Sequence, residues 1–381
     1  MRKKIAVFFG GKSVEHEISI ITAIQAMENI DRNKYDVLPI YVSKENKLYT
    51  NIDFLEIKAF HDLNKVTNQN NEIYLEKKGN KVLIKKTYNN VFKKNVLTEI
   101  DLFFLIVHGK NVEDGTLTGF LKMYDLPIVG PSVLAGAIGQ DKAVMKDILE
   151  VNKIPQVKYL KFNDNQQYEI INEEIKKHLG YPVIIKPANL GSSVGIEVCK
   201  NEYELENKLN EVFNYDKKIV VEEYLENFRE MNISLYGNYN DIKVSSIEEV
   251  KKNDEILSYD DKYLANGKKI SGMENIKKEI PANISEELKN NIENIAKKSY
   301  EVLNCNSLIR IDFMIVDDKI YLNEINTIPG SLSYYLWENK NISYQDLIND
   351  LVDNAIEQYF DETKKTQSLN VNILNLTGKN K

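Results

Sequence analysis

Apolar and polar positions along the chain predict a mixed α/β protein built from three consecutive units. Residues 4–9 form a short apolar run that ends at Gly10-Gly11, which predicts a first strand. Residues 18–27 carry apolar side chains at helical spacing, and 35–42 read as a second strand. A strand, loop, helix, strand order points to a parallel sheet. Residues 102–107 are almost wholly apolar, as in a strand buried on both faces. Between these, 60–98 are polar, and Ile73/Leu75 and Val82/Ile84 alternate around Gly79-Asn80, which predicts an exposed hairpin. The segment Pro127-Ile128-Val129-Gly130-Pro131 closes the unit and sets a boundary near 131.

The second unit, 132–224, opens with a helix over about 135–151. Strands follow at 157–162, 183–186 and 196–199, then a helix near 202–213 and a strand at 219–224. The third unit, 225–362, carries further strands, a charged stretch at 251–279, a helix at 285–303 and a hairpin at 308–326. Its last helix, 343–360, has Leu347, Leu351, Ala355 and Tyr359 on one stripe. Residues 363–381 form a polar tail.

Composition narrows the function. The 381 residues exceed one ordinary core, so two or three domains are expected. The net charge of −7, with lysines interleaved among acids and Asn, argues against a nucleic-acid partner. No apolar run approaches the roughly 18 residues of a membrane span. The basic start Met1-Arg2-Lys3-Lys4 lacks a following signal-peptide core, because Gly10-Gly11-Lys12 interrupts it. Cys199 and Cys305 are too few for a disulfide framework or a cysteine-rich metal site. A cytoplasmic location is the expectation.

The hairpin at 310–326 carries the sharpest chemical signal. Alternation puts Ile309, Ile311, Phe313 and Ile315 on one face and Arg310 and Asp312 on the other. After a turn at Asp317-Asp318-Lys319, Leu322, Glu324 and Asn326 are expected to share a face, with Asp312 nearly opposite Glu324. Opposed carboxylates destabilise a sheet unless a cation neutralises them. Mg²⁺ takes one or two carboxylates plus phosphate oxygens, and Asn326 adds a neutral oxygen. Arg310 is suited to hold an oxyanion bidentately. A plain Arg310–Asp312 ion pair on a solvated face explains the same residues equally well if nothing else is considered.

Residues 184–195, Ile-Ile-Lys-Pro-Ala-Asn-Leu-Gly-Ser-Ser-Val-Gly, read as strand, small-residue loop, strand. Gly191 and Gly195 permit close approach to a phosphate, Ser192 and Ser193 add donors, and Lys186 at the strand end can reach that phosphate. Lys142, at a helix start after Gln140-Asp141, is a second phosphate lysine candidate. The loop also spells the Gly-x-Ser-x-Gly of serine hydrolases, but no histidine follows Ser193 and a strand, not a helix, is expected next. Phe9-Gly10-Gly11-Lys12-Ser13 resembles the end of a phosphate-binding P-loop, yet position 6, where its first glycine belongs, is Ala6.

Taken in order from Lys4 to about Phe360, these pieces resemble the ATP-grasp superfamily and, within it, the D-alanine–D-alanine ligases. The fold implied is an α/β (mixed α+β) ATP-grasp fold with an N-terminal parallel-sheet preATP-grasp domain. Gly10 to Ser19 resembles the family's first-substrate loop, where the acid matching Glu15 binds the ammonium of the first D-alanine. His108-Gly109-Lys110-Asn111-Val112-Glu113-Asp114-Gly115 resembles its His-Gly motif, which implies that His108 lies near that substrate's carboxylate.

The resemblance further implies that Lys142, Lys186 and Ser193 contact ATP. It makes Glu222, Glu223 and Leu225 the adenine hinge and Glu230 the ribose acid. Tyr259 to Tyr263 resembles a closing loop in which Lys262 meets phosphate or the acceptor carboxylate and Tyr263 bonds the residues matching Ser192 and Glu15. Asp312, Glu324 and Asn326 match the metal ligands, and Arg310 and the Gly330 amide match the oxyanion stabilisers. ATP with Mg²⁺, or Mn²⁺ in its place, is the implied cofactor set. The partners implied are D-alanine, ATP and a second copy in a homodimer, with no nucleic acid and no membrane. The role implied is peptidoglycan synthesis.

Two departures stand out. Val112 replaces the family's usual glycine. After Pro329-Gly330 the chain reads Ser331-Leu332-Ser333-Tyr334-Tyr335-Leu336-Trp337, with Tyr335 where a serine contacts the second amino acid and Leu336 beside it. The rings either reshape the acceptor pocket or simply fill a core. Alternative readings are an ATP-grasp ligase with another acceptor, such as D-serine, and a non-catalytic nucleotide-binding module.

Overall fold

The computed structural model describes residues 2–88, 95–238, 241–251 and 277–369. Three sheets of eight, four and six strands follow one another along the chain. In the first, strand Lys3–Gly10 lies between Tyr35–Val42 and Leu102–Val107, parallel to both. Every residue of Leu102–Val107 is buried, as its unbroken apolar run requires. Helix His16–Asn29 covers this sheet.

The 72–86 segment differs from its expectation. Strands Glu72–Lys78 and Lys81–Lys86 join the same sheet through antiparallel pairing, so the sheet is mixed. Ile73, Leu75, Val82 and Ile84 are buried in its core. The alternation was real, but its apolar face meets protein, not water.

The predicted helix over 135–151 is two helices, Val133–Gln140 and Lys142–Val151. Asp141 between them is extended, and its carboxylate accepts from the Ala143 and Val144 amides at 3.1 Å each. An acid at an N-cap satisfies amides that a continuous helix would bond internally. The break makes Lys142 the first residue of the new helix. The second sheet, wholly antiparallel, then runs Glu197–Cys199, Val183–Pro187, Lys218–Glu223, Tyr159–Asn163.

The third sheet runs Lys277–Glu279, Glu248–Lys251, Arg229–Asn238, Ile309–Val316, Lys319–Asn326, with Asp241–Val244 on Arg229–Asn238. Met231, Ile233 and Leu235 enter its core, so Glu230, Asn232 and Ser234 share the face of Arg310 and Asp312. The last helix, Tyr344–Thr363, touches this sheet through Asp350, which accepts from the Tyr236 hydroxyl and from Lys243, but its apolar stripe turns elsewhere. Its Leu347, Ile348, Leu351 and Val352 pack into the core of the N-terminal sheet, together with Leu332, Leu336 and Trp337.

Candidate active site

Strands Ile309–Val316 and Lys319–Asn326 pair with Arg310 opposite Asn326 and Asp312 opposite Glu324. Below that pair the register shifts, and Phe313 faces Leu322. Asn323 is the extra residue of a β-bulge. This corrects the expectation that Leu322 shares a face with Glu324. Leu322 is fully buried in the core with Ile320 and Ile325, and the bulge switches the phase between Leu322 and Glu324. Without the extra residue, the carboxylate of Glu324 and the apolar side chain of Leu322 would compete for one face.

Arg310 donates to both oxygens of Asp312, at 2.6 and 2.7 Å, and Asn326 Nδ2 donates to Asp312 Oδ2 at 3.1 Å. Burial raises the Asp312 carboxyl above its ordinary range; Arg310 opposes this, and Glu324 and Glu230 add to it. Arg310 therefore lies among three acids, Asp312, Glu324 and Glu230. Among the described residues, no group of three or more His, Cys, Asp and Glu forms a site that would hold a metal with protein ligands alone. Two opposed carboxylates and an amide instead suit a hard cation that completes its shell with phosphate and water.

The glycine-rich loop meets this hairpin through Lys186. Its Nζ donates to Glu222 Oε2 at 2.8 Å and to Asn323 Oδ1 at 3.2 Å, so the bulge residue joins the two sheets. Asn323 had no signal in the strand alternation, because the bulge that aims it depends on the partner strand. Lys142 Nζ donates to Leu190 O at 2.6 Å, and Gln140 Nε2 to Asn189 O at 2.8 Å, which ties the new helix to the loop. Ser192 and Ser193 have φ of 52° and 61°, and Gly195 has φ of 71°. The segment after the loop is strand Glu197–Cys199, not the helix that a serine-hydrolase elbow needs.

Glu222 itself is turned inward. Its carboxylate is buried between Lys186 and Lys146, the latter 3.1 Å from Oε1. Burial opposes its ionisation, but the two lysines overrule that and hold the carboxyl down to about 2. Its side chain is thus engaged with a lysine at each oxygen. Glu223 and Leu225 are half-buried at the strand's exit, and Glu230 lies beside Asp312. Lys146 was missed in the sequence; its position one helical turn after Lys142 was the available clue.

From the N-terminal unit, the loop after Lys3–Gly10 brings Glu15 to the same place. Ser192 Oγ donates to Glu15 Oε1, and a Cβ on Gly191 or Gly109 would meet Glu15 Oε2 at 2.8 or 2.7 Å. Neither glycine can be replaced without moving this acid. His108 is buried, with Nε2 3.3 Å from Thr22 Oγ1, and burial pushes its imidazole down to about 4. Glu113 accepts from the Gly109 amide, the Thr327 hydroxyl and the Ile328 amide at 2.8, 2.9 and 2.9 Å. It therefore anchors the turn that leads to Gly330.

The two aromatics after Gly330 part company. Tyr334 stacks on Tyr344 at 4.3 Å and fills core. The Tyr335 hydroxyl donates to buried Glu248 at 3.2 Å, and Lys278 lies 4.3 Å over its ring. Tyr335 thus stands beside Arg310 and Asp312. Leu336 is fully buried in the N-terminal core, so its side chain is packed away from this cluster. Ser331, Leu332 and Ser333 all have left-handed φ, 46–50°, so the Gly330 turn is strained. Tyr263 and Lys262 fall outside the described residues.

Glu113 offers a pH test. Burial, and the Glu15 charge next, push its carboxyl up from 4.5 to about 7. Between these values the folded protein holds a proton that the unfolded chain has lost. The associated stability is complete below pH 4.5 and disappears as pH rises through 7. Denaturant unfolding of Glu113→Gln against the parent should show the variant's relative stability rising over pH 4.5–7, by up to about 3 kcal/mol. A difference that is flat with pH would contradict the shift.

Family models described as D-ala D-ala ligase N-terminus and C-terminus match residues 4–131 and 148–353. A D-alanine--D-alanine ligase of Thermosipho melanesiensis is 40% identical over 377 residues, covering 98% of each chain. Among solved structures, the D-alanine-D-alanine ligase from Coxiella burnetii superposes with a TM-score of 0.77 at 25% identity, over 95% of this chain and 96% of that one. The VanG D-Ala:D-Ser ligase from Enterococcus faecalis gives 0.76 at 28% identity, over 93% and 100%. No helix among the described residues is long and apolar enough to cross a membrane.

Proposed function

The chain belongs to the D-alanine–D-alanine ligase family, with its ATP-grasp fold, and from that premise we propose how its own residues carry out the ATP-dependent joining of two D-alanines. The product, D-alanyl-D-alanine, is a precursor of peptidoglycan. A carboxylate is a poor electrophile, so ATP must first phosphorylate it, and positioning and charge do most of that work. Lys142 and Lys186 hold nucleotide phosphates, with Ser193 adding a donor; 222–225 read the base and Glu230 the ribose. Asp312, Glu324 and Asn326 hold Mg²⁺, which when bound neutralises phosphate charge. Lys262 belongs to the phosphate set by resemblance.

Glu15, fixed by Ser192, takes the ammonium of the first D-alanine, and neutral His108 lies by its carboxylate. The amine of the second D-alanine attacks the resulting acyl phosphate. Arg310 and the Gly330 amide then stabilise the tetrahedral oxyanion. Tyr263 closes the site against water, and Tyr335 borders the acceptor. The domain divisions at 131 and 224, a homodimer and a cytoplasmic location complete the proposal.

The observation that carries this reading is the bond from Lys186 to Asn323, which couples the phosphate loop to the acidic hairpin. The test is mass spectrometry of products from ATP, Mg²⁺ and pooled D- and L-amino acids. D-Alanyl-D-alanine with equimolar ADP is expected. A different dipeptide, with none of D-alanyl-D-alanine, would sink the acceptor; ATP binding without amino-acid-dependent phosphate release would sink catalysis.

A further inference from the structure

Helix Lys142–Val151 carries a second lysine one turn beyond Lys142, and the mechanism above leaves it without a role. Lys146 is 0% exposed. Its ammonium lies 3.1 Å from Glu222 Oε1, while Lys186 holds Oε2 at 2.8 Å. The Lys146 contact lacks hydrogen-bond geometry, and the ammonium also lies 5.4 Å from the centre of the Tyr159 ring. Its tie to Glu222 is therefore one of charge. A buried ammonium is costly, and an apolar side chain of similar length would fill this space without that cost.

The charge count shows what the lysine supplies. With all three ionised, two lysines and one glutamate carry a net +1; burial lowers the Lys146 ammonium, and the Glu222 charge opposes that. Without Lys146, the Lys186–Glu222 pair would be neutral. Lys186 has three N–H groups and spends two of them, on Glu222 and Asn323. The third is useful to an anion only if Glu222 does not cancel the lysine's charge.

We infer that Lys146 is a positioning residue of the nucleotide cleft: by holding one oxygen of Glu222, it keeps Lys186 electrostatically available to a nucleotide phosphate. The inference rests on Lys186 being a phosphate lysine. It makes affinity for ATP follow the net charge of the three residues. The parent has +1, Lys146→Met has 0, Glu222→Gln has +2, and the double variant returns to +1.

Steady-state kinetics of these variants, with Lys146→Arg and Lys186→Met, tests this. Lys146→Met should raise KM for ATP roughly tenfold, with kcat and KM for D-alanine changing less than about twofold. Lys146→Arg should stay near the parent. Adding Glu222→Gln to Lys146→Met should lower KM for ATP at least about threefold below that of the single variant. A packing role predicts the opposite, since two lesions in one core compound. If Lys146→Met does not fold, the double variant against Glu222→Gln alone reads the same loss of one charge. An unchanged KM for ATP in Lys146→Met, or a double variant no better than the single, overturns the inference. If Lys186→Met also leaves KM for ATP unchanged, the phosphate reading of Lys186 fails with it.

Discussion

Asp312→Asn is expected to lower Mg²⁺-dependent ATP turnover by about three orders of magnitude while the protein stays folded. The substitution keeps the shape of the side chain and removes its charge. Asp312 lies on the site face of its strand, and the core face, Ile311 and Phe313, is untouched. Asp312 is also the centre of the hairpin's polar network, bonded by Arg310 and Asn326 and opposed by Glu324. An asparagine would leave Glu324 as the only carboxylate of the proposed metal set. ADP release measured across a range of Mg²⁺, with circular dichroism to check the fold, decides the matter. Turnover within a few-fold of the parent at low Mg²⁺ would remove Asp312 from the metal site.

The second large effect concerns Arg310. Arg310→Lys is expected to reduce kcat by about a hundredfold, with KM for ATP little changed. The positive charge survives, so buried Asp312 is not left without its cation. What disappears is the planar fork that grips both oxygens of Asp312 and presents its remaining edge to an oxyanion. Arg310→Met should do more damage and also destabilise the fold, by about 3–5 kcal/mol, because it strands a buried carboxylate. The pair of variants separates geometry from charge. A Lys variant with kcat within twofold of the parent would mean that only charge matters at this position, and would count against an oxyanion role. Glu113 links to this result through the turn: its three accepted bonds hold Thr327 and Ile328, so its protonation bears on the Gly330 amide as well as on stability.

Much of the architecture was legible because it is local. Leu102–Val107 reads as a doubly buried strand from its own six residues. The helical stripe Leu347, Leu351, Ala355 exists whatever it packs on. That Arg310 and Asp312 share one face follows from alternation along a single strand, whereas regular pairing around the turn would set Asp312 against Asn323 and only the bulge brings Glu324 opposite it. Glycines at 191 and 195, with Lys186 before them, carry a phosphate signal in a dozen residues. Even the break at Asp141 had a local sign, an N-cap acid, that the apolar periodicity of the flanking helices masked.

What the tertiary structure decided is everything that needs two distant segments at once. The stripe of the last helix says that a core exists, not that it belongs to the N-terminal sheet some three hundred residues earlier. The 72–86 hairpin shows which face is apolar, but it is packing in the core of the N-terminal sheet that buries that face. The bulge at Asn323 is a mismatch between two strands and is invisible in either alone, yet it points Glu324 into the site and Leu322 into the core. The Lys146–Glu222–Lys186 group draws one residue from a helix and two from neighbouring strands. Periodicity fixes the direction of a side chain relative to its own backbone. The residue it meets is fixed by packing, where the free energy of burial is shared among segments far apart in the chain.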